Sequence, residues 1–404
     1  MKGLYVLFML VIASHSVSSR ITPNTGSTFD VLTYGAIGDG QTDDSNAFLK
    51  VFNDACGTSE STPSMTIPEG KTFLLQPLVF KGPCKSTNII VELKGNITAP
   101  KDIESWNFTV EKQRKIWIQF SKISGLVVNG EGNIDGQGSP WWDKFGGKGQ
   151  EKFRPTALRF LDCQALTLSN LNHMNSPKNH ISVDSCKNAS IFNIHITAPP
   201  TSPNTDGIDI SQSTNIAIMN STIETGDDCI AINNGSSVIT ITGTFCGPGH
   251  GISVGSLGKD NSYATVEDVR VQNCTFTGTS NGGRIKTFEG GSGYARNITY
   301  EDIILNEVKN PVIIDQAYNP NADSAVEISD VTYSNIRGTS VGEYAIELKC
   351  ELNIGCNNIV LDHINITRAD GGKAGVVCVG GHGNSSSCNP AVPCLTNISA
   401  IWWY

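Results

Sequence analysis

The sequence predicts an all-β fold, a parallel β-helix, from three observations. A short unit of alternating Val or Ile closed by Asn or Asp recurs from mid-chain onward. It reads LTLSNL at Leu166, IFNIHI at Ile191, IAIMNS at Ile216, ITITGT at Ile239, VRVQNC at Val269, ITYEDI at Ile298, VTYSNI at Val331 and IVLDHI at Ile359. The units start between 23 and 33 residues apart, the period of a solenoid coil and too short for a propeller blade of ~40–50 residues. Over the same stretch no helical stripe and no βα alternation appears. Turn formers are abundant: Gly supplies 41 of 404 residues, and Asn tolerates the left-handed conformation that coil corners need.

The elements run in chain order. Met1–Ser19 reads as a secretory signal, with Lys2, an apolar Leu4–Ala13 core and small residues at Ser16–Ser19. Its apolar core is too short to span a bilayer. Next, FDVLTYGAIGDGQTDD from Phe29 gives a strand and a Gly/Asp turn. SNAFLKVFNDAC then sets Ala47, Phe48, Val51, Phe52 and Ala55 at helical spacing, a cap for the exposed end of the ladder. No Pro-, Gly- or Ser-rich linker divides the rest of the chain, so residues 20–404 read as a single domain.

Charge narrows the partners. With 29 basic and 38 acidic residues the net charge is −9, which opposes binding to nucleic acid or an anionic membrane. The twelve cysteines all lie beyond the signal, as suits a disulfide-bonded secreted chain. Cys350/Cys356 and Cys388/Cys394 are the expected local pairs. Neither CxxC nor HExxH occurs, so no metal and no cofactor is expected. Ten Asn-x-Ser/Thr sequons, from Asn96 to Asn397, offer glycan acceptors.

Three segments stand in register: Asp206-Gly-Ile-Asp-Ile, Asp228-Cys-Ile-Ala-Ile and His250-Gly-Ile-Ser-Val, each 22 residues after the last. One per coil, they stack Asp206, Asp228 and His250 in a column ~4.8 Å apart. Beneath them lie Ile208, Ile230 and Ile252, then Ile210, Ile232 and Val254. The next coil, Gly283-Arg-Ile-Lys-Thr, turns Arg284 and Lys286 outward beside the carboxylates. The preceding coil, Asn179-His-Ile-Ser-Val, turns His180 toward the same face. Three acids (Asp206, Asp227, Asp228), a histidine and two cations on adjacent coils suit glycosidic hydrolysis. Like charges at this spacing separate the proton affinities of acid and base, and the cations suit an anionic sugar.

These residues resemble glycoside hydrolase family 28, the polygalacturonases, and its plant secreted branch in particular. Four signatures stand in order: Ser202-Pro-Asn-Thr-Asp-Gly, Thr225-Gly-Asp-Asp-Cys, Cys246-Gly-Pro-Gly-His-Gly and Arg284-Ile-Lys-Thr. The resemblance implies a right-handed β-helix and inverting hydrolysis of α-1,4 bonds in polygalacturonate, by a secreted monomer of the cell wall. It implies Asp227 as general acid, Asp206 and Asp228 as the pair that activates water, and His250 as support for the acid. Arg284 and Lys286 would grip a galacturonate carboxylate, with Asn204 and Tyr318 as further substrate contacts. His180 is a cleft residue or a structural support. Phe288-Glu289 departs from the family's Trp-Gln, and the extra carboxylate is expected to weaken polyanion affinity or to alter subsite preference. Asn319 replaces a cysteine, which removes a local disulfide. The uninterrupted GGSGYARN stretch after Glu289 favours attack within the chain over exo attack. The other function classes are a polysaccharide lyase, which would need Ca²⁺ and a base, and a non-catalytic wall-binding protein.

Overall fold

The computed structural model describes residues 26–108, 115–316 and 325–395. The signal segment and the sequon at Asn397 lie outside the described residues. Among those described, the strands form an 11-stranded sheet and a 22-stranded sheet that wrap one core. Each full coil gives one strand to the former and up to two to the latter, and neighbouring coils pair in parallel. Parallel crossovers of this kind wind right-handed.

The recurring units lie one above another in the larger sheet. Val128, Leu168, Ile191, Ile218, Ile241, Val271, Tyr300, Tyr333 and Leu361 pair in succession, and all are buried. Their alternate neighbours Ser190, Ala217, Thr240, Arg270 and Thr299 face outward, as a period of two requires. Burying one such aliphatic side chain stabilises the coil by about 1.5–3 kcal/mol. Tyr300 and Tyr333 stack with ring centroids 5.1 Å apart. The Tyr300 hydroxyl donates to the carbonyls of Ile252 and Arg284, which satisfies its polar tip beneath the candidate site.

Asn residues hold the corners, with φ of 55° at Asn170 and 53° at Asn193. Their amides bond from coil to coil, Asn193 to Asn170 at 3.1 Å and Asn215 to Asn188 at 2.7 Å. The expected cap is helix α1, Ser45–Gly57, with Ala47, Phe48, Val51, Phe52 and Ala55 buried. Phe48 meets Phe73 edge-on at 5.3 Å and Phe52 packs on Phe80 at 4.9 Å. The Cys56–Cys84 disulfide ties the helix end down. No helix among the described residues is long and apolar enough to cross a membrane.

Two features differ from the sequence expectation. A short helix α2, Ser139–Phe145, interrupts the coils, and Trp142 anchors it by donating to the Ser176 carbonyl. Cys350–Cys356 forms as expected, but Cys394 pairs with Cys378 rather than with Cys388. The turn Pro393–Leu395 folds back so that Leu395 reaches the same edge as the Cys378 sulfur. Cys388 stays a thiol beside the Leu361 and Ser386 carbonyls. Cys229–Cys246 also pairs, bracing the loops that carry the acids.

Candidate active site

The 11-stranded sheet builds the site. Ile208, Ile230 and Ile252 pair in register, as do Ile210, Ile232, Val254 and Ile285. This buried floor fixes the loops that enter each strand. Asp206, Asp228 and His250 each stand two residues ahead of their floor isoleucine. Backbone bonds lock the stack: the Gly207 N–H donates to the Asp228 carbonyl, and the His250 N–H to that of Asp227. Two glycines make the stacking sterically feasible. A Cβ on Gly226 would lie 2.0 Å from the Ser202 oxygen, and Gly251, at φ 84°, would meet the Asn281 oxygen at 2.2 Å.

Asp228 is the buried hub, its side chain 1% exposed. Arg284 Nη2 donates to its Oδ1 at 2.6 Å and Lys286 Nζ to its Oδ2 at 2.8 Å. Ser253 Oγ donates to Oδ1 and accepts from Arg284 Nε. Asp227, one residue earlier, projects differently. Its Oδ1 accepts from His250 Nδ1 and from the Asp228 N–H, both at 2.8 Å, and its Oδ2 from Asn204 Nδ2 at 3.3 Å.

Ionisation divides across the cluster. Burial, with the charges of Asp227, Asp209 and Asp228, pushes the Asp206 carboxyl well above its ordinary value. Burial pushes Asp209 up to about 7. Burial also acts against the Asp227 carboxylate, but the His250 bond and charge, with Lys286, outweigh it and lower Asp227 overall. In the free protein Asp206 and Asp209 therefore hold a proton more readily than Asp227, the residue that the resemblance makes the donor.

Asp206, Asp227, Asp228, His250, Asn204, Arg284 and Lys286 all come together. His180 does not join them on the open face. It is fully buried, packs edge-on against His173 at 5.0 Å and places Nδ1 3.1 Å from the Asp206 carbonyl. It supports the Asp206 loop from beneath, the structural side of the sequence alternative. Tyr318 and Asn319 lie outside the described residues.

Asp209 and Ser253 escaped the sequence reading. Both were visible in the aligned segments, since Ser182, Asp209, Ala231, Ser253 and Arg284 form one outward column. Asp227, Asp228 and His250 bring ligand atoms within 4.8 Å of one another. Two fixed cations already occupy both Asp228 oxygens, so this donor set does not fit a resident metal ion.

Carboxylates of split proton affinity on adjacent coils, an imidazole bonded to one and cations bonded to another, define a glycoside hydrolase. Residues 56–388 match the model of the glycosyl hydrolases family 28, and the chain belongs to that family. It is 48% identical over 383 residues to a probable polygalacturonase of Arabidopsis thaliana, covering 92% of this chain and 81% of the relative. It is 43% identical over 361 residues to a polygalacturonase of Persea americana, covering 87% and 76%. Among solved structures, an endo-xylogalacturonan hydrolase from Aspergillus tubingensis superposes with a TM-score of 0.74 at 25% identity, over 88% of this chain and 96% of that one. A polygalacturonase from Erwinia carotovora shares the fold, with a TM-score of 0.70 at 22% identity over 91% and 99%.

Proposed function

We propose that this enzyme hydrolyses α-1,4 bonds between unesterified galacturonates of pectin, within the chain and with inversion. The observation that carries the reading is the Asp228–Arg284–Lys286 cluster beside Asp227–His250 and Asp206. It sets positive charge next to a carboxylate set able to act as acid and base. Asp227 is the proton donor to the glycosidic oxygen, and Asp206 with Asp228 activates water. An inverting site needs its two carboxyl groups ~6.5–9.5 Å apart, which the separate projection of Asp227 favours. Asp206 and Asp227 repel each other's charge, so a substrate oxygen that favours Asp227 in its protonated form, the proton coming from solvent, leaves Asp206 to ionise and serve as the base. His250 supports the donor, and Arg284, Lys286 and Asn204 contact the sugar.

Attack within the chain draws support from the N-terminal side of the cleft. The outward column continues from Asp209 through Ser182 and Arg159 to Gln119 and Val79. Lys81 and Lys122 line a depression of about 560 Å³ there, beside Arg159, which is paired with Asp184. One sugar per coil would place uronates against these cations, well away from the bond being cut. The signal-like segment 1–19 and four disulfides support an extracellular monomer of the wall. Product profiling of the purified protein on polygalacturonate over time tests the reading. Early mixed oligomers are expected; monomer alone from the outset overturns endo action, ultraviolet-absorbing unsaturated ends indicate a lyase, and tight binding without new reducing ends a wall-binding protein.

A further inference from the structure

Arg154 comes directly after the turn Glu151–Phe153 and leads into the strand Thr156–Leu161, and the reaction above makes no use of it. Its side chain is buried, at 1% exposure, and its hydrogen bonds go to uncharged acceptors. Nη1 donates to the carbonyls of Pro177, at 3.0 Å, and Pro203; Nη2 donates to Asn204 Oδ1 at 2.6 Å. Nε is buried with no partner. A cation held this way is costly to desolvate unless nearby anions compensate it. The charges acting in its favour are Glu151, Asp206 and Asp227, two of them carboxylates of the candidate active site.

This geometry has two consequences. Because Asn204 Oδ1 accepts from Arg154, the amide is fixed with Nδ2 toward Asp227, where it holds Oδ2. The other Asp227 oxygen is already taken by His250 and the Asp228 N–H. The guanidinium fork therefore ties the loops of Pro177, Pro203 and Asn204 together and, through Asn204, sets the pose of Asp227. Its charge also opposes the mutual repulsion of Asp206 and Asp227, alongside Lys286 and His250.

We propose that Arg154 is a positioning residue for hydrolysis, orienting Asn204 against Asp227 and balancing the buried acids electrostatically. The proposal rests on the assignment of Asp227 to the reaction. Its test compares Arg154→Lys, Arg154→Met, Asn204→Ala and Arg154→Lys/Asn204→Ala in pH-resolved kinetics on polygalacturonate. Lys keeps the charge but loses the fork, so kcat should fall about tenfold with KM within about twofold and both pH limbs unmoved. Met removes the charge, so both limbs should move up by about one pH unit. If Arg154 acts through Asn204, the double variant is no slower than Asn204→Ala alone. Additive losses, or an Arg154→Met profile that does not move, overturn the proposal. So do losses that only track the folded fraction measured by thermal unfolding. Should Arg154→Met fail to accumulate, the double-variant comparison decides. A wild-type protein inactive on polygalacturonate sinks the substrate reading alone. In that case the pH dependence of the unfolding midpoint, which needs no substrate, still reports whether Arg154→Met raises the acids' proton affinity.

Discussion

Asp228→Asn removes the anion that Arg284 and Lys286 share while leaving the side-chain shape almost unchanged. The side chains of Asp228, Arg284 and Lys286 are 1%, 11% and 8% exposed, so water cannot take over the lost partner. Removing one member of a buried ion pair costs about 3–5 kcal/mol, because the remaining charge stays buried and uncompensated. Here two buried cations lose the anion they share, so about 4 kcal/mol is expected. With an unfolding entropy of about 2.1 cal/mol/K per residue, a chain of this size shifts by about 1.2 °C per kcal/mol, so Tm should fall by about 5 °C. Asp227→Asn is the matched control. Asp227 is 17% exposed and its partner His250 41%, so the imidazole regains water, and the change should stay within about 1 kcal/mol. Hydrolysis should be lost in both variants. Thermal unfolding monitored by tryptophan fluorescence separates them, at low salt and in 0.5 M NaCl. Equal Tm values for the two variants, or an Asp228→Asn deficit that vanishes in salt, would refute the buried-hub argument, since salt screens solvated charges far more than buried ones.

The other predictions concern protons, substrate and sulfur. Asp206 and Asp209 bind protons more tightly in the folded than in the unfolded chain, so stability should fall as pH rises from about 4 through about 7. Asp209→Asn should flatten that slope in urea titrations. It should also move the alkaline limb of activity to lower pH, because Asp206 loses a repelling neighbour; an unchanged limb would remove Asp209 from the cluster. Lys286→Ala should raise KM for polygalacturonate severalfold more than for a neutral glycan, and equal effects on both would remove the carboxylate contact. Peptide mapping without reduction should find Cys378 linked to Cys394 and Cys388 alkylated, and a Cys388–Cys394 peptide would contradict the fold of the C-terminal turn.

Much of the site was legible because the coil is a repeat. A fixed 22-residue step keeps each strand in phase, so aligning three segments was enough to stack Asp206, Asp228 and His250 and to turn Arg284 and Lys286 toward them. The same alignment misled at His180. That residue occupies the position of Gly207, Cys229 and Gly251, one residue nearer the strand than the acids, and this position turns into the core. A one-residue offset at the corner reverses the direction of a side chain. Asp209 was overlooked although alternation placed it in the outward column.

By itself the sequence determined the period, the inward ladders, the capping helix and the stacking of Asp206, Asp228 and His250 with Arg284 and Lys286 beside them. Those depend on local alternation and on register, which are written along the chain. Only the tertiary structure decided that Cys394 pairs with Cys378, and that Asp228 engages both cations. It also decided that Asp206 and Asp209 hold a proton more readily than Asp227, and that Arg154 reaches Asn204. Each of these depends on burial and on fields from side chains as distant in sequence as Lys286 is from Asp206, and no local pattern in the chain encodes such quantities.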